Sequence, residues 1–234
     1  MTPEESAAVA DSIRTVASPD IAEITDLPLI DLALADFYAG VVKDLEPHWI
    51  SRGEGTFFTI GASTYNDLII SEGHATYYEV AEKNNQLIQD NFGPLLDLVK
   101  YALARHFNRE VIDLYKAGLI GFHIFGEGVE KNPNGGHIHT DEPFQRLLWT
   151  EPFASPFSFT VALELPSGIG GMDYWNRGTE AIYFPYELGR LYIHGGRFPH
   201  RISSIEMPNK KRPRITLQGH GALLLDTNRI AVYF

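Results

Sequence analysis

From Leu119 to Phe234 the chain is a succession of short β-branched and aromatic runs set off by glycine and proline, and no other feature restricts its fold as much. The runs read "LIGFHIF", "FSFTVALEL", "AIYF", "RLYIH", "PRITLQGH", "ALLLD" and "RIAVYF". Each has the length and composition of a strand that sits on a pleated, half-buried surface. Together with the stretch "NGGHIHTDEP" they suit a two-sheet jelly roll, a double-stranded β-helix, with helices packed outside it.

The first half reads differently. Ile30, Leu34, Phe37, Val41 and Leu45 recur at three- and four-residue steps behind Pro28, the pattern of an amphipathic helix. A second helical stretch, "ATYYEVAEKNNQLIQDNF", is expected to halt at Gly93-Pro94 before "LLDLVKYALARHF" resumes, since proline cannot continue the preceding helix. Only "TFFTIGAS" looks extended there. The expected organisation is α+β: one domain over residues 1–234, with 1–110 as mostly helical support and 119–234 as the jelly-roll core.

Composition removes several function classes. The formal charge of −11 opposes a nucleic-acid or anionic-membrane surface, and "NKKRPR" (Asn209 to Arg214) is too short a basic cluster to reverse it. No apolar run reaches the roughly 18 residues of a membrane span. The start "MTPEESAAVADSIR" is acidic where a leader would be basic then apolar, so a cytoplasmic location is expected. With no cysteine, thiolate zinc sites, iron–sulfur clusters and a cysteine nucleophile are excluded, and any metal must be held by imidazole and carboxylate. No G-x-S-x-G elbow marks a hydrolase, and the glycines of "SGIGGMDYW" open no helix, which leaves a turn between strands rather than a phosphate cradle.

In "NGGHIHTDEP" three metal-binding side chains, His137, His139 and Asp141, stand at alternate positions and would share a face if the segment is extended. Spacing does not choose among them. One arrangement is a His-x-His pair of the cupin kind. The other pairs His139 with Asp141 and needs a distant histidine, for which His200 in "GGRFPHRISS" is the foremost candidate and His194 its rival. In "RPRITLQGHG", Arg214, Thr216, Gln218 and His220 alternate, so a guanidinium suited to gripping a carboxylate and a hydroxyl would face the same barrel mouth.

The string His139-Thr140-Asp141, His200, Arg214-Ile215-Thr216 resembles, in order and spacing, the Fe(II)/2-oxoglutarate-dependent oxygenases. The segments "GFHIFGEG", "FSFTVALELPSGIGGMDYW" and "RITLQGHG" are most similar to a small-molecule branch with alkaloid halogenases and related hydroxylases. The resemblance implies that His139, Asp141 and His200 hold Fe(II), that Arg214 and Thr216 bind 2-oxoglutarate, and that O2 is the second co-substrate. It further implies oxidation of an aliphatic carbon of a small molecule in natural-product or amino-acid metabolism. Halogenases of that branch carry a small residue in place of the aspartate, so Asp141 implies hydroxylation or a related oxidation such as desaturation, epimerisation or ring closure, and not halogenation. Several family members are dimers, which makes a homodimer the expectation by analogy.

Substrate contacts are expected from Phe144, Trp149, Tyr65 and His137, with Phe153 and Asn66 as weaker candidates and lid packing as the competing reading for the aromatics after the motif. His123 reads as a sheet histidine that could face the barrel interior, while His48, His74 and His106 read as surface residues. Two rival functions carry different requirements. A cupin-type metalloenzyme without 2-oxoglutarate would bind through His137 and His139 and leave Arg214 without a role. A non-catalytic jelly-roll binding module would hold no metal at all.

Overall fold

The computed structural model describes residues 24–52, 56–70, 74–126, 136–149, 151–166, 170–175, 180–203 and 213–234. In chain order these form β1 (Thr25–Pro28), α1 (Leu32–Asp44), β2 (Ile50–Ser51), β3 (Phe57–Ile60), a π-helical segment (Thr64–Ile70), α2 (His74–Phe107), β4 (Val111–Asp113) and β5 (Gly121–Phe125). After a 3-10 turn (Pro143–Arg146) come β6 (Phe153–Glu164), β7 (Gly171–Tyr174), β8 (Ile182–Pro185), β9 (Arg190–His194), β10 (His200–Ile202), β11 (Arg214–Leu224) and β12 (Ile230–Tyr233).

Two sheets result. The large one runs β1-β9-β6-β11-β5-β3-β2, with β12 on β11 and β4 on β12, and the small one runs β10-β7-β8. Pairing is antiparallel except between β12 and β4. The runs "PRITLQGH" and "ALLLD", which look separate in the sequence, are one strand. Gly219 and Gly221 read as a boundary, yet they serve close packing: a Cβ on either would come within 2.5 Å or 2.4 Å of the Phe159 or Phe157 ring. The length of β11 lets its first half pair with β5, its second half with β12, and its other edge with β6. Residues from three strands therefore converge along one strand.

The first half is less uniformly helical than its pattern suggests. Besides "TFFTIGAS", the segment Thr25–Pro28 is extended because it pairs with β9, a long-range cause invisible in four residues. α1 starts after Asp31, whose carboxylate accepts a 2.8 Å hydrogen bond from the Leu34 amide as an N-cap. The expected halt at Gly93-Pro94 does not occur, and Pro94 lies inside one helix. An interior proline costs about 3 kcal/mol. Phe92, Leu95, Leu96, Val99 and Leu103 are fully buried around it, and each contributes roughly 1.5–3 kcal/mol, which outweighs the break. Phe92 packs on Phe122 of β5 and Phe107 on Phe157 of β6, so this helix lies against the large sheet. Of the "SGIGGMDYW" stretch, residues 167–169 lie outside the described residues, and Gly171–Tyr174 is a strand between β8 and β10, its pairing supplied by neighbours and not by local sequence.

Candidate metal centre

Asp141 lies among histidines brought together from three segments. His139 and His200 form an isolated antiparallel bridge, each backbone N–H donating to the other's carbonyl at 2.9 Å, so the motif needs no full strand to meet its distant partner. His139 Nδ1 lies 2.8 Å from the His137 carbonyl and His200 Nδ1 2.8 Å from the Phe198 carbonyl. A carbonyl only accepts, so both Nδ1 atoms carry the proton and both Nε2 lone pairs are left for a ligand. These Nε2 atoms lie 3.7 Å and 3.4 Å from Asp141 oxygens, and one donor atom from each of the three residues lies within 4.8 Å of the others.

Asp141 is itself fixed. Its amide donates to Gly196 at 2.8 Å, and Ser158 Oγ donates to its Oδ2 at 2.6 Å. Burial would raise the Asp141 carboxyl, but the charge and hydrogen bond of His200, followed by His220 and His194, hold it well below the ordinary carboxylate range. Burial pulls His200 down, and the adjacent Asp141 outweighs this and raises it. His194 is pushed down to about 3 by burial and by His200. Its Nδ1 accepts the Gly196 amide at 3.2 Å, which supports the turn that holds Asp141.

Arg214 occupies a second point in the same cavity and is only 3% exposed. Its guanidinium sits 5.6 Å from the Phe125 ring and 5.8 Å from that of Tyr186, with a long 3.5 Å contact to Thr216 Oγ1 and no partner for Nε. Among the described residues no carboxylate pairs with it. A buried cation is ordinarily paired, and among the described residues this one has room for an anionic ligand in the cavity. Two kinds of group fit the surroundings: a divalent cation among imidazole and carboxylate donors, and an anionic ligand at the guanidinium.

No family model matches the sequence, and no curated protein matches it. Solved structures do. The N-substituted L-amino acid dioxygenase from Burkholderia ambifaria AMMD superposes with a TM-score of 0.53 at 12% identity, over 98% of this chain and 91% of that one. The epimerase SnoN from nogalamycin biosynthesis superposes with a TM-score of 0.50 at 15% identity, over 94% of this chain and 84% of that one. The fold is that of the non-haem α-ketoglutarate-dependent oxygenases. The dioxygenase has also been solved with α-ketoglutarate, and SnoN with Fe3+, α-ketoglutarate and nogalamycin RO.

In this oxygenase fold the cavity of about 420 Å³ opens between the two sheets, and the expected residues fall on either side of it. His139, Asp141, His200 and Arg214 line it, as do Tyr65, Asn66 and the exposed His137, although the His137 ring is outside the donor cluster. His123 also lines it, pushed down to about 3 by burial and by Arg214. Phe144 and Trp149 do not. Trp149 stacks on Phe153 at 4.1 Å, meets Tyr233 at 5.8 Å and donates from Nε1 to the Phe144 carbonyl at 2.8 Å. Phe144 and Trp149 both belong to a half-buried aromatic cluster that satisfies the rings and the indole N–H, the arrangement expected of lid packing. His48 and His106 are exposed, and the His74 side chain falls outside the described residues.

Sequence reasoning missed Ser158, Tyr186 and Gly196. A signal for Ser158 was present: in "FSFTV" a small hydroxyl alternates with buried Phe157 and Phe159, which an apolar sheet face alone does not require. Tyr65 and Asn66 are presented by the π-helical segment, which is anchored by a bidentate Arg52–Asp67 pair at 2.5 and 2.6 Å. Among the described residues no helix is long and apolar enough to cross a membrane.

Proposed function

We propose that this single domain is an Fe(II)/2-oxoglutarate-dependent dioxygenase that hydroxylates an aliphatic carbon of a small molecule in natural-product or amino-acid metabolism. The observation that carries the reading is the pairing, in one cavity, of the His139–Asp141–His200 cluster with the buried Arg214, which has no carboxylate partner among the described residues. His139, Asp141 and His200 would hold Fe(II) through two imidazole nitrogens and a carboxylate. Arg214 would grip the far carboxylate of 2-oxoglutarate, with the Thr216 hydroxyl beside it. When bound, iron and 2-oxoglutarate supply the means of turning O2 into an oxidant for a C–H bond.

The chain's own contribution is placement and exclusion of water. The two carbonyl-bound Nδ1 atoms keep His139 and His200 in the ligating tautomer, and Ser158 holds the Asp141 carboxylate. Burial keeps His123 and His194 neutral, so no further positive charge competes for the anionic ligand. Tyr65 and Asn66 would meet the substrate at the cavity wall. A carboxylate at Asp141, where the resembling halogenases have a small residue, supports oxidation of the carbon in place of halogenation. A cupin-type reading would need His137 among the ligands, and its ring is outside the cluster.

The test is anaerobic addition of Fe(II) and 2-oxoglutarate to the metal-free protein. The expected result is a weak visible charge-transfer band, lost in Arg214→Ala and His139→Ala, and succinate formation on admitting O2. Tight metal binding without the band would overturn the 2-oxoglutarate assignment, and absence of metal binding would overturn the whole reading.

A further inference from the structure

Ser158 Oγ lies 2.6 Å from Asp141 Oδ2 and 2.9 Å from His220 Nδ1. A hydroxyl has one proton, and a carboxylate only accepts, so that proton goes to Asp141. The contact with His220 must then run the other way, with Nδ1–H donating to Ser158 Oγ. The three residues form a directional chain from His220 through Ser158 to Asp141. Its geometry comes from the sheet: Ser158 on β6 is registered opposite His220 on β11, and His220 opposite Tyr233 on β12, whose ring lies 5.6 Å from the imidazole.

The opposite side of Asp141 is equally constrained. Gly196 has φ of +65°, and a Cβ there would sit 3.0 Å from Asp141 Cβ and 3.2 Å from Ser158 Oγ. Main-chain contact with Gly196 fixes the Asp141 backbone, and the Ser158 hydroxyl holds one oxygen of its carboxylate. Ser158 is 1% exposed between buried Phe157 and Phe159, where alanine would pack without the cost of burying a hydroxyl. Its polar partners are Asp141 and His220.

We propose that Ser158 and His220 are a positioning pair that sets the orientation in which Asp141 meets its metal ion. The proposal rests on the reading of Asp141 as a ligand. Neither residue touches the metal; each acts through the next. Loss of a hydrogen-bond partner behind a ligand typically weakens metal binding about 10- to 100-fold. Because the two act in series, removing the second after the first adds little.

Co(II) is the probe, added to the full-length metal-free protein, with affinity and visible d–d spectrum as readouts and the melting temperature of each metal-free variant as the folding control. Ser158→Ala and His220→Leu are each expected to weaken Co(II) binding about 10-fold and shift the spectrum, with the double variant no weaker than the worse single. His220→Asn, whose amide N–H can replace Nδ1–H, is expected to restore both readouts. Wild-type affinity and spectrum in His220→Leu, alongside lost binding in Asp141→Ala, would overturn the positioning role and leave the metal site standing. Unchanged binding in Asp141→Ala would remove the metal-site reading and this proposal with it. Should Ser158→Ala not fold, the His220→Leu and His220→Asn pair decides the question alone.

Discussion

Asp141 Oδ2 lies 3.4 Å from His200 Nε2, and each side chain is held from behind, the carboxylate by Ser158 Oγ and the imidazole by the Phe198 carbonyl. Asp141 hangs from Gly196, and His200 is bridged to His139. The donor atoms are thus placed before any ion arrives, which is the condition for tight and geometrically selective binding.

Replacing either residue tests that placement. Asp141→Ala and His200→Ala are each expected to lower Fe(II) affinity by more than the roughly 10- to 100-fold typical of residues behind a ligand. Anaerobic calorimetric titration checks this, with Tyr65→Ala as a cavity variant that leaves metal affinity unchanged.

Arg214→Met should separate binding from stability. Loss of a charge-assisted pair costs about 1.5–3 kcal/mol, so 2-oxoglutarate affinity is expected to fall about 10- to 100-fold. The ligand-free variant is expected to be at least as stable as the native protein, because a buried cation without a carboxylate partner is removed. Ligand titration and urea unfolding measure the two effects separately.

Acid stability should depend on His123. Its pKa is pushed from 6.5 down to about 3, first by burial and then by Arg214, so the folded state holds this group neutral while the unfolded state protonates it. Its contribution is complete above pH 6.5 and is lost progressively as pH falls toward 3. His123→Phe is expected to flatten this part of the pH–melting temperature curve, the difference from wild type shrinking to nothing above that window; an unchanged acid limb would refute it.

Asp67→Asn tests the support of the cavity wall. The Arg52 and Asp67 side chains are 8% and 12% exposed, and breaking a buried pair costs about 3–5 kcal/mol because a charge is stranded. The expected result is lower stability in urea and a raised KM for the organic substrate, with Fe(II) affinity retained.

Trp149→Ala is expected to cost roughly 3 kcal/mol through lost aromatic packing, while 2-oxoglutarate and metal affinities stay at wild-type values. A substrate contact by Trp149 would instead appear as a change in KM with little loss of stability.

The sheet strands were legible wherever apolar alternation ran long enough, as in β6 and β11, and the donor residues were legible as side-chain types in a recurring order. Short strands such as β1 and β7 were not, because their extended form is imposed by partners far along the chain. Pro94 misled for the same reason: local propensity favoured a break of about 3 kcal/mol, and burial against the sheet exceeded it. Phe144 and Trp149 carried no sign of which side of their loop faced the cavity.

By itself the sequence determined the donor chemistry: imidazole and carboxylate without thiolate, a guanidinium two residues before a hydroxyl in "RPRITLQGHG", and a chain rich in strand-forming runs. Those are properties of side-chain composition and local periodicity, which no later folding step can change. Only the tertiary structure decided that His137 stands outside the cluster, that Arg214 lacks a carboxylate partner among the described residues, and that Ser158 and His220 stand behind Asp141. Such facts depend on cross-strand register and on distances of a few ångströms between residues far apart in sequence, where hydrogen bonding and burial are settled jointly.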